Sequence, residues 1–256
     1  MNAGWLALVW NGFREARRNR VTVVVGAFAV VLLFSTSLVM EVTIATFDRV
    51  LTDVGLGMMS LLLVFLTIFL SSGLISREID RRTIFMVVSR PLSRTGYLLA
   101  RLAGNMLTVA VLLVAMGVIF LVQVYVLRSP VTSIQVLAIG MLWFELLVVA
   151  CVGVTLSTFS GPIVSGLVTT GFYLAGHLSS DIYRLAARSK SELLQWLGKG
   201  LYYALPNLDR LNLRPNATYN QMPSWAEVGS SLAHALSYCV ILLMLAGFIF
   251  SRRDFK

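Results

Sequence analysis

The chain has 256 residues, of which 57% are hydrophobic and only 13% are charged. Soluble domains average about 45–50% apolar and about 25% charged residues, so this composition excludes an ordinary soluble protein and indicates an integral membrane protein. The net charge is +9. The basic residues lie beside apolar runs, so they indicate orientation in a bilayer and no binding of nucleic acid.

Residues 1–20 are predicted to form a helix that lies on the cytoplasmic membrane surface. Trp5, Val9 and Phe13 recur every four residues and share one helical face, and a cluster of arginines follows them. A secretory signal peptide has the opposite order, with its charges before its apolar core. Tryptophans on an apolar face are typical of an interfacial helix.

Six apolar runs are predicted to cross the bilayer, because a helix of about 20 residues spans the hydrocarbon core. Ser160, Gly161 and Pro162 form a tight reversal between the fourth and fifth spans, and a short loop with Glu41, Asp48, Arg49 and Asp53 is expected between the first and second. The predicted fold class is therefore an all-α integral membrane protein of one domain, residues 1–256. The six runs cover residues 21–40, 57–76, 102–127, about 134–159, a stretch after the reversal that ends at 178, and 230–250.

Residues 179–229 are predicted to form an extracytoplasmic segment with a short helical insertion. Ser191 can cap a helix that begins at Glu192 and stops at Pro206. Residues 205–210 and 214–216 are predicted to be turns.

Thirteen of the 21 lysines and arginines lie near the N-terminus, around residues 77–101, or in the C-terminal tail. Positive charge close to short membrane spans favours the cytoplasmic side. Both termini are therefore predicted to be cytoplasmic.

The sequence has no motif for nucleotide or metal chemistry. It contains no G-x-x-x-x-G-K-[ST] loop and no H-E-x-x-H pair, and its only histidines are His177 and His234. Cys151 and Cys239 fall inside apolar runs and are interpreted as buried small side chains. We expect no bound cofactor and no enzymatic activity of the chain alone.

A few polar side chains fall within the predicted spans. Glu145 is the single acidic residue there, and an ionisable group at membrane depth is a candidate for the transport pathway or for proton uptake. A structural, hydrogen-bonded glutamate is the interpretation we favour. His177 and His234 lie toward the ends of their spans and favour structural or surface roles. Asn105 is expected to form a hydrogen bond between helices.

The most distinctive stretch joins the second and third spans. Residues 77–94 read R-E-I-D-R-R-T-I-F-M-V-V-S-R-P-L-S-R and hold five arginines around the apolar run 84–88. Pro91 ends any helix that begins there. The pattern is typical either of a short amphipathic helix at the membrane surface or of an ordinary basic loop.

This stretch resembles the cytoplasmic loop of permeases of the ABC type-2 exporter class. The resemblance rests on Glu78, on Thr83 and on the segment from Ser89 to Arg94 that reads S-R-P-L-S-R. Members of that family usually have glycine before the threonine, whereas this chain has Arg82. The order of an interfacial helix, six spans and a helical insertion before the last span extends the resemblance over nearly the whole chain.

The resemblance implies an ATP-driven transporter subunit of the bacterial cytoplasmic membrane. Its partners would be a second permease copy or a paralogue, and a separate cytosolic ATPase that binds the ATP. Residues 77–95, here named the coupling segment, would contact that ATPase. A proton-driven secondary transporter and a lipid-modifying membrane enzyme remain the alternatives. The implied coupling residues are Glu78, Arg82, Thr83, Ile84, Phe85, Met86, Arg90, Pro91 and Arg94.

Overall fold

The computed structural model describes residues 9–10, 21–42, 46–76, 94–189 and 191–252. Within these ranges the chain forms eight α-helices and a short 3₁₀ turn, and no strand. Helices are expected because a backbone in hydrocarbon must satisfy its hydrogen bonds within its own segment. The elements are α1 (Val21–Val42), α2 (Phe47–Ser72), α3 (Arg94–Val126), α4 (Ser133–Ser157), α5 (Pro162–Arg188), α6 (Glu192–Ala204), the 3₁₀ turn (Leu208–Arg210), α7 (Arg214–Thr218) and α8 (Trp225–Arg252).

Four of the described helices are long and apolar enough to cross a membrane, namely α2, α3 from Thr95 onward, α4 and α8. They confirm the predicted all-helical membrane architecture. Helix α1 has 22 residues, with a shorter apolar part at Val25–Ser35. Helix α5 has 27 residues but is more polar. The count of six spans therefore stays a prediction.

Helices α2 and α4 run parallel at the centre of the bundle. Gln135 of α4 donates a hydrogen bond to the hydroxyl of Thr52 at 3.1 Å near the start of both helices, and Gly153 of α4 lies against Ser71 near the end of both. Helix α2 also packs against α1, α3 and α5, and α4 also packs against α3, α5 and α8. The end of the bundle where α2 and α4 begin is named the cap end. The end where α2 finishes and α3 begins is named the base end.

Local sequence signals explain several helix boundaries. Helix α8 begins with a capping box, in which the Ser224 hydroxyl accepts from the Glu227 backbone N–H and the Glu227 carboxylate accepts from the Ser224 N–H. Gly161 precedes α5, whose first residue is Pro162, a position where the missing N–H of proline costs nothing. Two residues after the end of α3, Arg128 adopts a left-handed conformation with φ of 57°. The backbone N–H of Ser129 there donates to the Val124 carbonyl, as in a Schellman motif.

The predicted start of the second span at residue 57 and the loop before it are wrong. Helix α2 begins at Phe47, and Asp48, Arg49 and Asp53 occupy its first two turns. Glu41 lies in the last turn of α1. The three charges of α2 are tolerated in a helix because they meet partners at the cap end. Asp48, for example, accepts a hydrogen bond from Ser129.

Residues 205–221, here named the cap, fold back over the cap end of the bundle. The 3₁₀ turn packs against α5, and α7 packs against α2 and α4. The predicted turn at 205–210 is confirmed, whereas residues 214–216 belong to helix α7. Helix α6 begins at Glu192, directly after Ser191. The buried apolar residues of the cap are Leu208, Leu211, Leu213 and Ala217.

Candidate functional site

Most of the predicted coupling residues lie outside the described residues. These are Glu78, Arg82, Thr83, Ile84, Phe85, Met86, Arg90 and Pro91. The structure describes the two points where the coupling segment is attached. Helix α2 ends at Ser72, the described chain continues to Ser76, and α3 begins at Arg94. Both attachment points lie at the base end.

The two helices on either side of the coupling segment are joined by a hydrogen bond. The side-chain amide of Asn105 in α3 donates to the carbonyl oxygen of Leu70 in α2 at 3.3 Å. Leu70 belongs to the last turn of α2, where carbonyl groups lack partners within the helix. The interhelical role predicted for Asn105 is confirmed, and the bond ties α2 to α3 close to the coupling segment.

The buried carboxylate of Glu145 has a histidine partner. Glu145 on α4 is 2% exposed, and its Oε1 lies 2.9 Å from Nε2 of His177 on α5. His177 keeps 21% of its side chain exposed. A charged group is costly in an apolar interior unless it is paired, and this contact provides the pairing. Glu145 and His177 are thus brought together in one polar site.

Two further features surround this polar pair. The ring of Tyr173, one helical turn before His177, meets the imidazole edge to face with a centroid distance of 4.7 Å. A cavity of about 20 Å³ lies beside Glu145. That volume admits about one water molecule. The cavity is lined by residues of α2 and α4 and by the cap, including Ser60, Asn212 and Arg214.

Arg214 connects the cap to α2 above the same cavity. Its Nε lies 3.2 Å from Oδ1 of Asp53, and both side chains are about half exposed. A Cβ at position 57 would lie 3.0 Å from Nη1 of Arg214, so Gly57 leaves the room in which the guanidinium lies. Arg214 is therefore a cation that faces both Asp53 and the cavity of Glu145.

A larger cavity of about 180 Å³ opens at the cap end between α2, α4 and the cap. Its wall includes Asp48, Gln135 and Tyr219. The guanidinium of Arg49 lies 5.7 Å from the centre of the Tyr219 ring, a distance typical of a cation–π contact. Most polar groups of this wall contact one another. These contacts connect α2, α4 and the cap.

The sequence profile of the ABC-2 family transporter proteins matches residues 6–255. The chain belongs to the ABC-2 family. An ABC-2 protein of this kind is the permease component of an ABC transporter and is not itself the catalytic part. No curated protein gives a significant match to the chain.

The remaining predicted residues of this ABC-2 permease are placed as follows. His234 is exposed on α8, with its ring 6.4 Å from that of Tyr238. Cys151 and Cys239 are free and buried, which confirms the burial predicted for them. Neither His234 nor either of the two cysteines adds a residue to the Glu145 site.

Sequence reasoning missed the contact between Glu145 and His177. Each residue was interpreted alone. Both lie sixteen residues from Gly161, where the chain reverses between α4 and α5. Positions at equal distance from the turn of an antiparallel helix pair face each other. The equal distance of Glu145 and His177 from the turn could therefore have predicted their contact in the ABC-2 permease.

Proposed function

We propose that this chain couples a separate cytosolic ATPase to movement of a substrate across, or out of, the membrane. The ATPase would bind the coupling segment, residues 77–95, and ATP-driven closure of the ATPase would push that segment. The chain would pair with a second permease copy or a paralogue. ATP would be bound and hydrolysed by the partner only.

The observation that carries this proposal is the position of the helices joined by the coupling segment. Helix α2 contacts α1, α3, α4, α5 and the cap, so a displacement at its base end is transmitted to most of the bundle. The Asn105–Leu70 bond links α3 to the same end of α2. Force applied to the coupling segment would thus move two bonded helices together.

The chemistry of the coupling segment suits a protein groove. Ile84, Phe85 and Met86 form an apolar run between Arg82 and Arg90. A buried apolar anchor surrounded by charged residues is the usual arrangement of a small, stable interface. We expect Phe85 to be the central anchor, with the arginines and Glu78 at its rim.

Helix α5 supplies the surface that we propose for pairing with the second copy. Its buried residues are Ser165, Thr169, Gly176 and Ser179, which are all small. Larger side chains such as Leu167 and Leu174 point outward. Since α5 is also more polar than the four clear spans, a protein surface suits it better than lipid.

Pairing along α5 can be tested with single cysteines, after Cys151 and Cys239 are replaced by alanine. Leu167→Cys and Leu174→Cys should give cross-linked dimers with a short bifunctional maleimide. Ile241→Cys on α8 is equally exposed and serves as the control. Cross-linking through α8 and none through α5 would refute this pairing.

Localisation follows from the charge distribution. We propose that both termini and the coupling segment are cytoplasmic and that the cap faces the other side of a bacterial cytoplasmic membrane. The basic clusters at 14–20, 77–101 and 252–256 support this orientation.

The function is tested by isolating the tagged chain from its native membrane in mild detergent. A protein with a phosphate-binding loop should co-purify with it. The chain separated from that partner should hydrolyse ATP no faster than background, because its sequence lacks such a loop. Rapid hydrolysis by the isolated chain, or no ATPase partner, would contradict the proposal.

A further inference from the structure

Helix α6 folds back along the last part of α5. A Cβ at Gly198 of α6 would overlap that of Ala186, so glycine lets the two helices touch there. Just after α6, the carbonyl oxygen of Pro206 lies beside Gly176 of α5. The chain therefore runs antiparallel to α5 over these residues, from the cap end toward the middle of the bundle.

The level of α6 in the membrane follows from α4, which is one of the four clear spans. His177 of α5 contacts Glu145 of α4, and α5 continues eleven residues beyond that contact to Arg188. Helix α4 begins twelve residues before the contact, at Ser133. At about 1.5 Å per residue, these two lengths are about 17 and 18 Å, so both helices reach the same level at the cap end. Because Gly198 packs near the end of α5, α6 lies at the level of the first turns of α4.

Exposed charges indicate that this level is close to the membrane surface. Leu174 and Leu178 are exposed on the part of α5 nearer the base end. From Asp181 onward, the exposed side chains of α5 include Arg184 and Arg188. Charged side chains avoid the hydrocarbon core, so α5 leaves that core near Asp181, beside α6.

Helix α6 exposes a large apolar face at this level. Leu193, Leu194 and Trp196 are 67%, 50% and 73% exposed. Glu192 and Lys199 are also exposed, and their spacing of seven residues places them together on a side of the helix away from Leu194. A helix that combines an apolar face including tryptophan with a separate charged side is typical of the membrane interface.

We propose that α6 lies in the membrane interface at the cap end, with Leu193, Leu194 and Trp196 inserted among the lipids. Tryptophan favours the level of the lipid headgroups, and Glu192 and Lys199 remain in water. A partner protein fits less well, because a stable protein interface uses roughly 20–30 residues on each side, whereas the described side chains of α6 expose three large apolar groups. The cap begins directly after α6, so lipid contact at α6 also holds the cap near the membrane surface. This inference does not rest on the ATPase or on the coupling segment.

The test uses the full chain in liposomes of phosphatidylethanolamine and phosphatidylglycerol, with both native cysteines replaced by alanine. Leu193→Cys carries a bimane fluorophore, and Lys199→Cys is the matched control on the charged side of the same helix. Val122→Cys, exposed on the cap half of α3, is the reference for lipid contact. Quenching is measured with a phospholipid that carries a nitroxide near its headgroup, and with iodide on both sides of the membrane.

We expect the nitroxide lipid to quench the label of Leu193→Cys about as strongly as that of Val122→Cys. Iodide should quench the label of Leu193→Cys several-fold less than that of Lys199→Cys. Equal iodide quenching of these two variants would overturn the proposal, since it would place the apolar face in water. Protection of Leu193→Cys from both quenchers, with cross-linking of the unlabelled variant into dimers, would show that a second copy covers this face and would also overturn the proposal.

Discussion

The amide of Asn105 donates a hydrogen bond to the carbonyl oxygen of Leu70, at 3.3 Å, and so joins α3 to the last turn of α2. The bond satisfies a carbonyl that has no partner within its own helix. Leu70 precedes the coupling segment and Asn105 follows it, so the bond joins the two helices that this segment connects. This polar contact, together with apolar packing, therefore helps to fix the relative position of α2 and α3.

Replacing Asn105 by leucine should destabilise the chain by about 0.5–2 kcal/mol, the range measured for hydrogen bonds between membrane helices. Thr108→Val is the control, because the Thr108 hydroxyl bonds to Gly104 within its own helix. Thermal unfolding in detergent measures both. Equal destabilisation by the two variants would show that the interhelical bond contributes nothing specific.

The close approach of α2 and α4 requires glycine at position 153. A Cβ there would overlap the side chain of Ser71. Gly153→Ala should therefore destabilise the chain by about 1–3 kcal/mol, the usual cost of overpacking. Ser71→Gly in the same chain should recover most of the loss.

Gly140 on the same helix provides the matched control. A Cβ at Gly140 meets no atom within 4 Å, so Gly140→Ala should be neutral, or stabilising by up to about 1 kcal/mol through helix propensity. The thermal midpoints of the three variants decide the question. If Gly153→Ala is as stable as Gly140→Ala, the contact between α2 and α4 is looser than described.

The cap should be held by its apolar residues more than by its ion pair. Leu208 is 2% exposed and lies in the notch left by Gly176 on α5. Leu208→Ala should cost about 2–5 kcal/mol, whereas Asp53→Asn removes a half-exposed pair worth about 0–1 kcal/mol. Limited trypsin digestion, with the cleavage sites identified, measures cap opening. Faster cleavage of the cap in Asp53→Asn than in Leu208→Ala would reverse this ranking.

Long uninterrupted apolar runs were predictable from the sequence. The fourth span, predicted at about 134–159, corresponds to α4 (Ser133–Ser157), because no charge other than Glu145 interrupts it. The start of α2 was not predictable in the same way. Its charged first turns are stabilised by Ser129 and Arg214, which are distant in sequence.

The packing of the cap was also not predicted from short stretches of the sequence. Prolines and asparagines in residues 205–216 indicated turns, and the regular leucines among them were overlooked as a packing signal. Leu208, Leu211 and Leu213 are buried on the bundle. Glu145 and His177 were each identified as polar residues within spans, but their contact depends on the pairing of α4 with α5.

The orientation of the chain can be tested with two cysteines. Asn207 is a poor labelling site, because it is buried and its amide donates to the hydroxyl of Ser180. Met222→Cys in the exposed chain before α8 is better suited. Ser89→Cys in the coupling segment should react with an impermeant maleimide only from the cytoplasmic side, and Met222→Cys only from the other. Labelling of both from the same side would refute the six-span topology.

The central claim is that the coupling segment binds the ATPase through its apolar run. Burying a large apolar side chain such as Phe85 stabilises an interface by about 1.5–3 kcal/mol, whereas an exposed charge pair contributes about 0–1 kcal/mol. The decisive measurement is recovery of the ATPase on Phe85→Asp, Arg81→Ala and wild-type permease at matched expression. Phe85→Asp should lose the ATPase while still inserting in the membrane, and Arg81→Ala should retain most of it. Equal recovery on Phe85→Asp and wild type would contradict the account and leave residues 77–95 as an ordinary basic loop.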